Sequence, residues 1–258
     1  MSDHIRVEFA NGILTVTLAR AEKKNAITRA MYLVLAEATR RAQDDESVRV
    51  LMFKAEGDSF SAGNDISDFT GSGSNRSGRM ADAPVFQFLK SLADLEKPAV
   101  AAVRGRAVGI GLTLLLHCDL VVVAEDALLS TPFVNLALTP EAASSLLLPM
   151  VIGHQRAFEM FALGEPIDGE TAFAWGLANR VVASTEVDTI ADGLAAGLAA
   201  RAPNSIRKTK GLMRDAEQLW ALIQREGEAF TSQLSSPEAR EAFTAFSQKR
   251  SPHFSTDG

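Results

Sequence analysis

The sequence predicts an α/β fold that gives way to helices toward its C-terminal end, and three observations carry this. Apolar, β-branched runs alternate with amphipathic helical stretches up to about residue 183. From Glu186 onward, through Arg201, Leu212, Phe230 and Ser247, the pattern is nearly all helical. Between them, Pro98 to Asp119 (PAVAAVRGRAVGIGLTLLLHCD) joins a buried strand to a buried helix through three glycines. The chain has 258 residues, 47% of them hydrophobic, which suits one large domain or a domain plus an appendage.

The net charge of -6 argues against nucleic acid or an anionic membrane as the main partner, although local Lys and Arg still suit a small anionic ligand. Cys118 is the single cysteine, so a disulfide framework and a thiolate metal cluster are both excluded. The N-terminal MSDHIRVEFANG has no apolar core of a signal peptide, no apolar run is long enough for a membrane span, and the terminal STDG is no peroxisomal signal. A cytoplasmic location is the expectation.

In chain order, Ile5 to Phe9 and Ile13 to Leu18 flank Asn11-Gly12, a hairpin signal. Leu14, Val16 and Leu18 alternate with Thr15 and Thr17, so one face of the second strand is buried. Arg20 to Ala26 is a polar connection. Thr28 caps a helix to about Gln43 with Met31, Leu35 and Ala38 facing inward, and Val48 to Lys54 is a strand. Glu56 to Phe69 (EGDSFSAGNDISDF) is irregular, and Gly71 to Gly78 (GSGSNRSG) reads as a flexible loop. Pro84 to Lys97 is an amphipathic helix. Leu120 to Ala124 and Ala127 to Ser130 are strands. Thr139 and Pro140 then supply the N-cap and first residue of a helix that carries Glu141 in its first turn. Helices follow at about 154–163 and 168–175.

The central stretch is the most informative. Ala99 to Val103 reads as a buried strand, Leu112 to Leu116 as a helix apolar on all sides, and Gly105, Gly109 and Gly111 fall between them. A glycine turn that ends at a helix N-terminus presents unpaired backbone N–H groups, the makings of an anion or oxyanion site. The alternative is that the glycines only let helix and strand pack closely. Gly109-Ile110-Gly111-Leu112-Thr113-Leu114 lacks the third glycine of a dinucleotide fingerprint, and no glycine loop ends in Gly-Lys-Ser/Thr. No G-x-S-x-G elbow is present either.

Together the motifs resemble the crotonase superfamily, the enoyl-CoA hydratase/isomerase family. Asn25-Ala26 after Arg20 resembles its N-terminal CoA-contact loop, although Ala21 stands where the family usually has proline. Phe60-Ser61-Ala62-Gly63-Asn64-Asp65 is similar to its first oxyanion motif, and Lys97-Pro98 through Asp119 to its second. Gly153-His154-Gln155-Arg156-Ala157 and the run from Ala242 through Phe246 and Lys249 to Phe254 resemble its later signatures. The resemblance implies a crotonase-like spiral core of ββα turns over 1–200 carrying an acyl-CoA site. It also implies a C-terminal helical region, 201–258, for trimerisation and CoA contact, and a homotrimer or dimer of trimers. The oxyanion donors it implies are the Asn64 and Ile110 N–H groups, with Lys24, Ala26, Ala62, Asp65, Ile66, Gly109, Phe133, Leu136, Phe246 and Lys249 along the substrate. Coenzyme A enters as part of the substrate, with no other cofactor and no metal.

Hydratases of that family use two glutamates, whose positions are matched here by Thr113 and Phe133. Neither is a general base at neutral pH. Glu141, in Leu138-Thr139-Pro140-Glu141-Ala142-Ala143-Ser144, resembles the single glutamate of the peroxisomal-type Δ3,Δ2-enoyl-CoA isomerases. One acid/base suffices for a 1,3-proton shift, so that activity is expected. Hydration, another crotonase reaction, or non-catalytic acyl-CoA binding are the alternatives. The plainer reading of Glu141 is a first-turn acid worth about 0.3–1 kcal/mol to its helix. A catalytic one requires an apolar setting, from Phe133, Leu136 and Leu138, to raise its pKa. His117-Cys118-Asp119 resembles triad or metal material but reads as a packed helix end, because consecutive residues point apart. Asp65 and Asp68 read as loop and cap residues, with Asp68 also within possible reach of an acyl pocket. Lys23, like Lys24, is a candidate phosphate contact.

Overall fold

The computed structural model describes residues 3–66 and 80–254. The loop reading of Gly71–Gly78 and the reading of Asp68 lie outside the described residues. β1 (Ile5–Ala10) and β2 (Ile13–Leu18) form the hairpin, with Asn11 at φ 52 and Gly12 at φ 79, the left-handed pair that a two-residue turn demands. α1 (Arg29–Asp44) starts where the sequence places it, the Thr28 hydroxyl accepting from Met31 N at 3.3 Å. Met31, Leu35 and Ala38 are buried beneath it.

The strands then run in pairs. β3 (Val50–Ala55) and β4 (Ser59–Ser61) precede α2 (Pro84–Ala93), and β5 (Ala99–Val103) and β6 (Arg106–Val108) precede α3 (Ile110–Thr113). β7 (Leu120–Ala124) and β8 (Leu128–Ser130) precede α4 (Ser144–Ile152) and α5 (His154–Leu163). The first strand of each pair joins a six-stranded sheet, β1-β2-β3-β5-β7-β10, and the second joins a four-stranded sheet, β4-β6-β8-β9. β9 is Ile167–Asp168 and β10 Arg180–Val182, with α6 (Gly169–Ala174) between them. From β2 to β10 the large sheet is parallel, and β1 alone runs against it. This is the expected spiral of ββα turns.

The central strands are buried on both faces, which is why they read as unbroken apolar runs rather than alternating ones. All of Ala99–Val103 is buried. α7 (Val187–Ala199) packs across β3, β5 and β7. α8 (Pro203–Met213), α9 (Ala216–Leu234) and α10 (Pro237–Ser247) complete the chain, with Leu219 and Ile223 of α9 joining the main core. Among the described residues, no helix is long and apolar enough to cross a membrane.

Three expectations are corrected. α2 ends at Ala93, not Lys97, because the chain must extend into Pro98 and β5. The central helix is a single α turn, Ile110–Thr113, continued as a 3-10 turn over Leu114–His117. The helix expected from Thr139 begins at Ser144 instead, so Glu141 lies on the loop before it and Thr139 is no cap. Ala142 and Ala143 are both left-handed, at φ 63 and 58, and a helix cannot run through them.

Candidate active site

Parallel pairing of β4, β6 and β8 sets the two glycine turns side by side. Gly63, at φ 92, lies against β6 so closely that a methyl there would sit 3.0 Å from the Val108 carbonyl oxygen. A methyl on Gly111 would sit 2.9 Å from both Cβ and O of Ser61. Gly109 has φ 55 and ψ -119, a conformation that only glycine adopts without strain, and it turns the chain from β6 into α3. Ile110 is then the first residue of α3, so its N–H has no intrahelical acceptor. Among the described residues neither Ile110 N–H nor Asn64 N–H meets a protein acceptor. The neighbouring amides are occupied: Gly109 N–H donates to Ser130 O at 2.9 Å and Asp65 N–H to Ile27 O at 3.0 Å.

The first turn is held from the N-terminal loop. Ser61 Oγ donates to Asn25 O at 2.9 Å and accepts from Gly63 N at 3.1 Å, and Ala62 N–H donates to Lys24 O at 2.8 Å. Asn25 is fully buried at φ 54, its amide donating to the carbonyls of Glu56 and Ser59. Arg20 ties the loops together, donating to Ala26 O at 3.0 Å and to the Asp65 carboxylate at 2.6 Å. Tyr32 donates to Asn64 Oδ1 at 2.5 Å. Asp65 thus fastens the turn through its side chain, and Ile66, half-buried, ends the described stretch.

Glu141 is buried, 7% exposed, and Thr113 Oγ1 donates to its Oε1 at 2.8 Å. Burial pushes its pKa up to about 7, and the carboxylate of Glu226 adds to the rise, against the pull of the Thr113 hydroxyl. Thr113 is three residues along α3 from Ile110, about 4.5 Å of helical rise. One helical turn therefore links the candidate base to a candidate oxyanion donor. Phe133 is buried against Phe161, ring centroids 6.3 Å apart, and its Cε1 lies 4.0 Å from where a methyl on Gly109 would stand. Leu136 is half-buried at the end of the adjoining 3-10 turn, Val134–Leu136. An aromatic ring thus stands beside the Gly109 turn.

The loop after Glu141 is held by groups that sequence reasoning did not single out for the site. His117 Nε2 donates to Ala142 O at 2.8 Å, while the Arg214 guanidinium donates to His117 Nδ1, which fixes the tautomer. Burial, with Arg214 and Lys210 nearby, drives the His117 pKa down to about 3, so the ring is neutral. Glu226 Oε2 accepts from Ala143 N at 2.6 Å, and Oε1 accepts from Ser145 N at 3.0 Å and from the Ser145 hydroxyl. The signal for Glu226 was spacing: Leu219, Ile223 and Glu226 share the buried stripe of α9. The hydroxyls of Thr139 and Ser144, on either side of Glu141, are buried without a hydrogen-bond partner among the described residues.

The remaining candidates are dispersed. Lys24 is exposed and paired with Asp58 at 2.5 Å, and Lys23 is exposed. Ala62 is exposed and Ala26 half-buried. Phe246 is exposed near the end of α10, and Lys249 lies past that end at φ 55. His117, Cys118 and Asp119 diverge: Cys118 Sγ donates to Leu114 O at 3.7 Å and Asp119 accepts from Ala99 N and Lys210, each at 2.7 Å. Among the described residues no three His, Cys, Asp or Glu are grouped to hold a metal ion.

The spiral of paired strands is that of the crotonase fold, and the family model for enoyl-CoA hydratase/isomerase matches residues 8–257. The chain belongs to that family. It is 34% identical over 253 residues to enoyl-CoA delta isomerase 2 of Rattus norvegicus, covering 95% of this chain and 63% of that protein. It thus spans less than two thirds of the rat protein's length. With 1,2-epoxyphenylacetyl-CoA isomerase of Escherichia coli (strain K12) it shares 32% identity over 260 residues, 98% of this chain and 99% of the other. The solved enoyl-CoA hydratase/isomerase of Pseudoalteromonas atlantica T6c superposes with a TM-score of 0.92 at 39% identity, over 98% of this chain and 100% of that one.

Proposed function

We propose that this enzyme is an acyl-CoA isomerase that moves the double bond of a 3-enoyl-CoA to the 2-trans position, with Glu141 as its only acid/base. The observation that carries the proposal is the buried Glu141 carboxyl, poised near neutrality, where Thr113 and Phe133 stand in place of two acids. The thioester oxygen is held by Asn64 N–H and Ile110 N–H. Glu141 takes a proton from C2, and the electron pair delocalises through C2–C4 onto that oxygen. The same proton returns to C4, leaving the double bond between C2 and C3. No water or second acid enters the balance, so a site without the hydratase pair completes the cycle. Two preorganised N–H donors stabilise the dienolate, each worth roughly 3–4 kcal/mol in comparable oxyanion sites. Burial of its carboxyl keeps Glu141 basic enough to take the proton and acidic enough to return it.

Gly109 and Ala62 line the thioester end, Asp65 and Ile66 continue the first turn, and Lys24 and Ala26 receive the CoA portion. The Lys24–Asp58 pair is more than half exposed and screened by solvent, so a phosphate displaces it at little cost. Phe246 and Lys249 are assigned to the adenine and a phosphate. No further cofactor or metal is required. The chain is proposed to work as a trimer or a dimer of trimers.

Incubation of the purified protein with 3-enoyl-CoA and, separately, with 2-enoyl-CoA tests the reading. Conjugated thioester forms from the first, and Glu141→Gln lowers that rate by about 10²–10⁴. Hydration of 2-enoyl-CoA at a comparable rate would overturn it.

A further inference from the structure

α4 begins without a cap of its own. The residue before it, Ala143, carries no acceptor, and the preceding peptides are in the left-handed region at Ala142 and Ala143, which costs alanine about 1–3 kcal/mol at each position. Backbone held in that region persists only where its surroundings impose it, and here two buried side chains do so from distant elements. His117, at the end of the 3-10 turn after α3, holds the carbonyl of Ala142. Glu226, in α9, holds the N–H groups of Ala143 and Ser145 with both of its oxygens. The residue that immediately precedes this clamped pair is Glu141.

Both clamping groups are themselves fixed. Gly227 lets α9 approach α2 so closely that a methyl there would lie 2.3 Å from the Phe86 ring. Arg214 holds His117 through both the ring and its carbonyl, the latter at 3.2 Å. The chain from α9 to the Glu141 carboxyl thus runs through rigid, hydrogen-bonded parts, with Thr113 steadying the far end at 2.8 Å.

We propose that Glu226 is a positioning residue for the base: together with His117 it clamps the 142–143 peptides and so fixes where the Glu141 carboxyl points. This rests on the reading of Glu141 as the acid/base. Both oxygens of Glu226 are taken by backbone and hydroxyl donors, so it is not a second base. Burial pushes the Glu226 pKa up while the Ala143 and Ser145 donors favour its carboxylate, and that charge adds to the rise of the Glu141 pKa. The charged groups around the clamp are Arg225 beside Glu226 on α9, and Lys210, Arg214 and Asp119 around His117. On the facing helix α2, Lys90 and Asp94 pair with each other.

The test compares full-length wild type, Glu141→Gln, Glu226→Gln and Glu226→Ala on 3-enoyl-CoA, with kcat, KM and the pH profile of kcat measured for each. Glu226→Ala is expected to lower kcat about 10–100-fold with KM within about twofold, since a misdirected base spoils the transition state more than binding. Glu226→Gln keeps one acceptor but removes the charge, so the Glu141 pKa falls and the acid limb of kcat moves about half a pH unit lower. A cap that served stability alone would lower the melting temperature and leave that limb in place. If the wild type does not turn over 3-enoyl-CoA, or if Glu141→Gln turns over like wild type, the proposed function fails and the clamp with it. If Glu141→Gln is inactive while Glu226→Ala keeps the wild-type kcat, or Glu226→Gln keeps both the wild-type kcat and acid limb, the clamp alone is overturned. Glu226→Gln decides the matter where Glu226→Ala does not fold.

Discussion

Glu141 is a residue whose burial in the folded chain costs stability once its carboxyl is charged. Its carboxyl titrates about 7 in the folded chain, against an ordinary value of 4.5. Folding is therefore unaffected by this group below about pH 4.5, loses stability as pH rises from there through 7, and carries the full loss above it. The loss approaches about 3 kcal/mol. Glu141→Gln removes it, so denaturant titration is expected to show the variant gaining on wild type by up to about 3 kcal/mol between pH 4.5 and pH 8.5. An unchanged difference between the two proteins across that range would contradict the burial-raised pKa. His117 tilts the curve the other way. Its neutral form is favoured down to about pH 3, so its contribution is present above pH 6.5 and lost as pH falls. Glu141 itself was singled out by the resemblance of Pro140-Glu141 to the isomerase glutamate, with Thr113 and Phe133 at the matched hydratase positions. Its raised pKa was not legible, because that depends on what covers it.

At the scale of elements, the β4 and β6 turns pack as a pair held apart by a glycine's width. Gly63→Ala places a methyl 3.0 Å from Val108 O at a φ of 92, so it both strains the first turn and pushes the second away. Gly109→Ala meets no atom nearer than 4.0 Å, so its cost is conformational alone, about 1–3 kcal/mol at φ 55 and ψ -119. Both variants are expected to fold, with kcat falling further than KM rises, and steady-state kinetics beside a thermal melt separate the two effects. A Gly109→Ala enzyme with wild-type kcat would remove Ile110 N–H from the mechanism. The strand, glycine turn and buried helix from Ala99 onward were readable because β-branching, glycine spacing and an all-apolar run each leave a local mark. The start of α4 was misread for an equally physical reason. Thr139-Pro140 is a good local cap, but the acceptor that determines the helix start is Glu226, 83 residues away along the chain.

The whole molecule carries large apolar side chains at its surface, among them Met150 at 70% exposure, Phe158 at 64% and Leu212 at 90%. Such side chains suit burial between subunits, and light scattering on the purified protein is expected to give the mass of three chains or six. A monodisperse single chain would refute the proposed assembly. By itself the sequence determined the α/β class, the hairpin, the three glycines before a buried helix, and the helical C-terminal stretch. Each of these is written in nearest-neighbour chemistry: side-chain period, turn residues, caps. Only the tertiary structure decided that short strands β4, β6, β8 and β9 form a second sheet, that Glu141 stands on a left-handed loop, and that Arg214, His117 and Glu226 hold it there. Those depend on contacts between residues far apart in the chain, whose geometry no local pattern encodes.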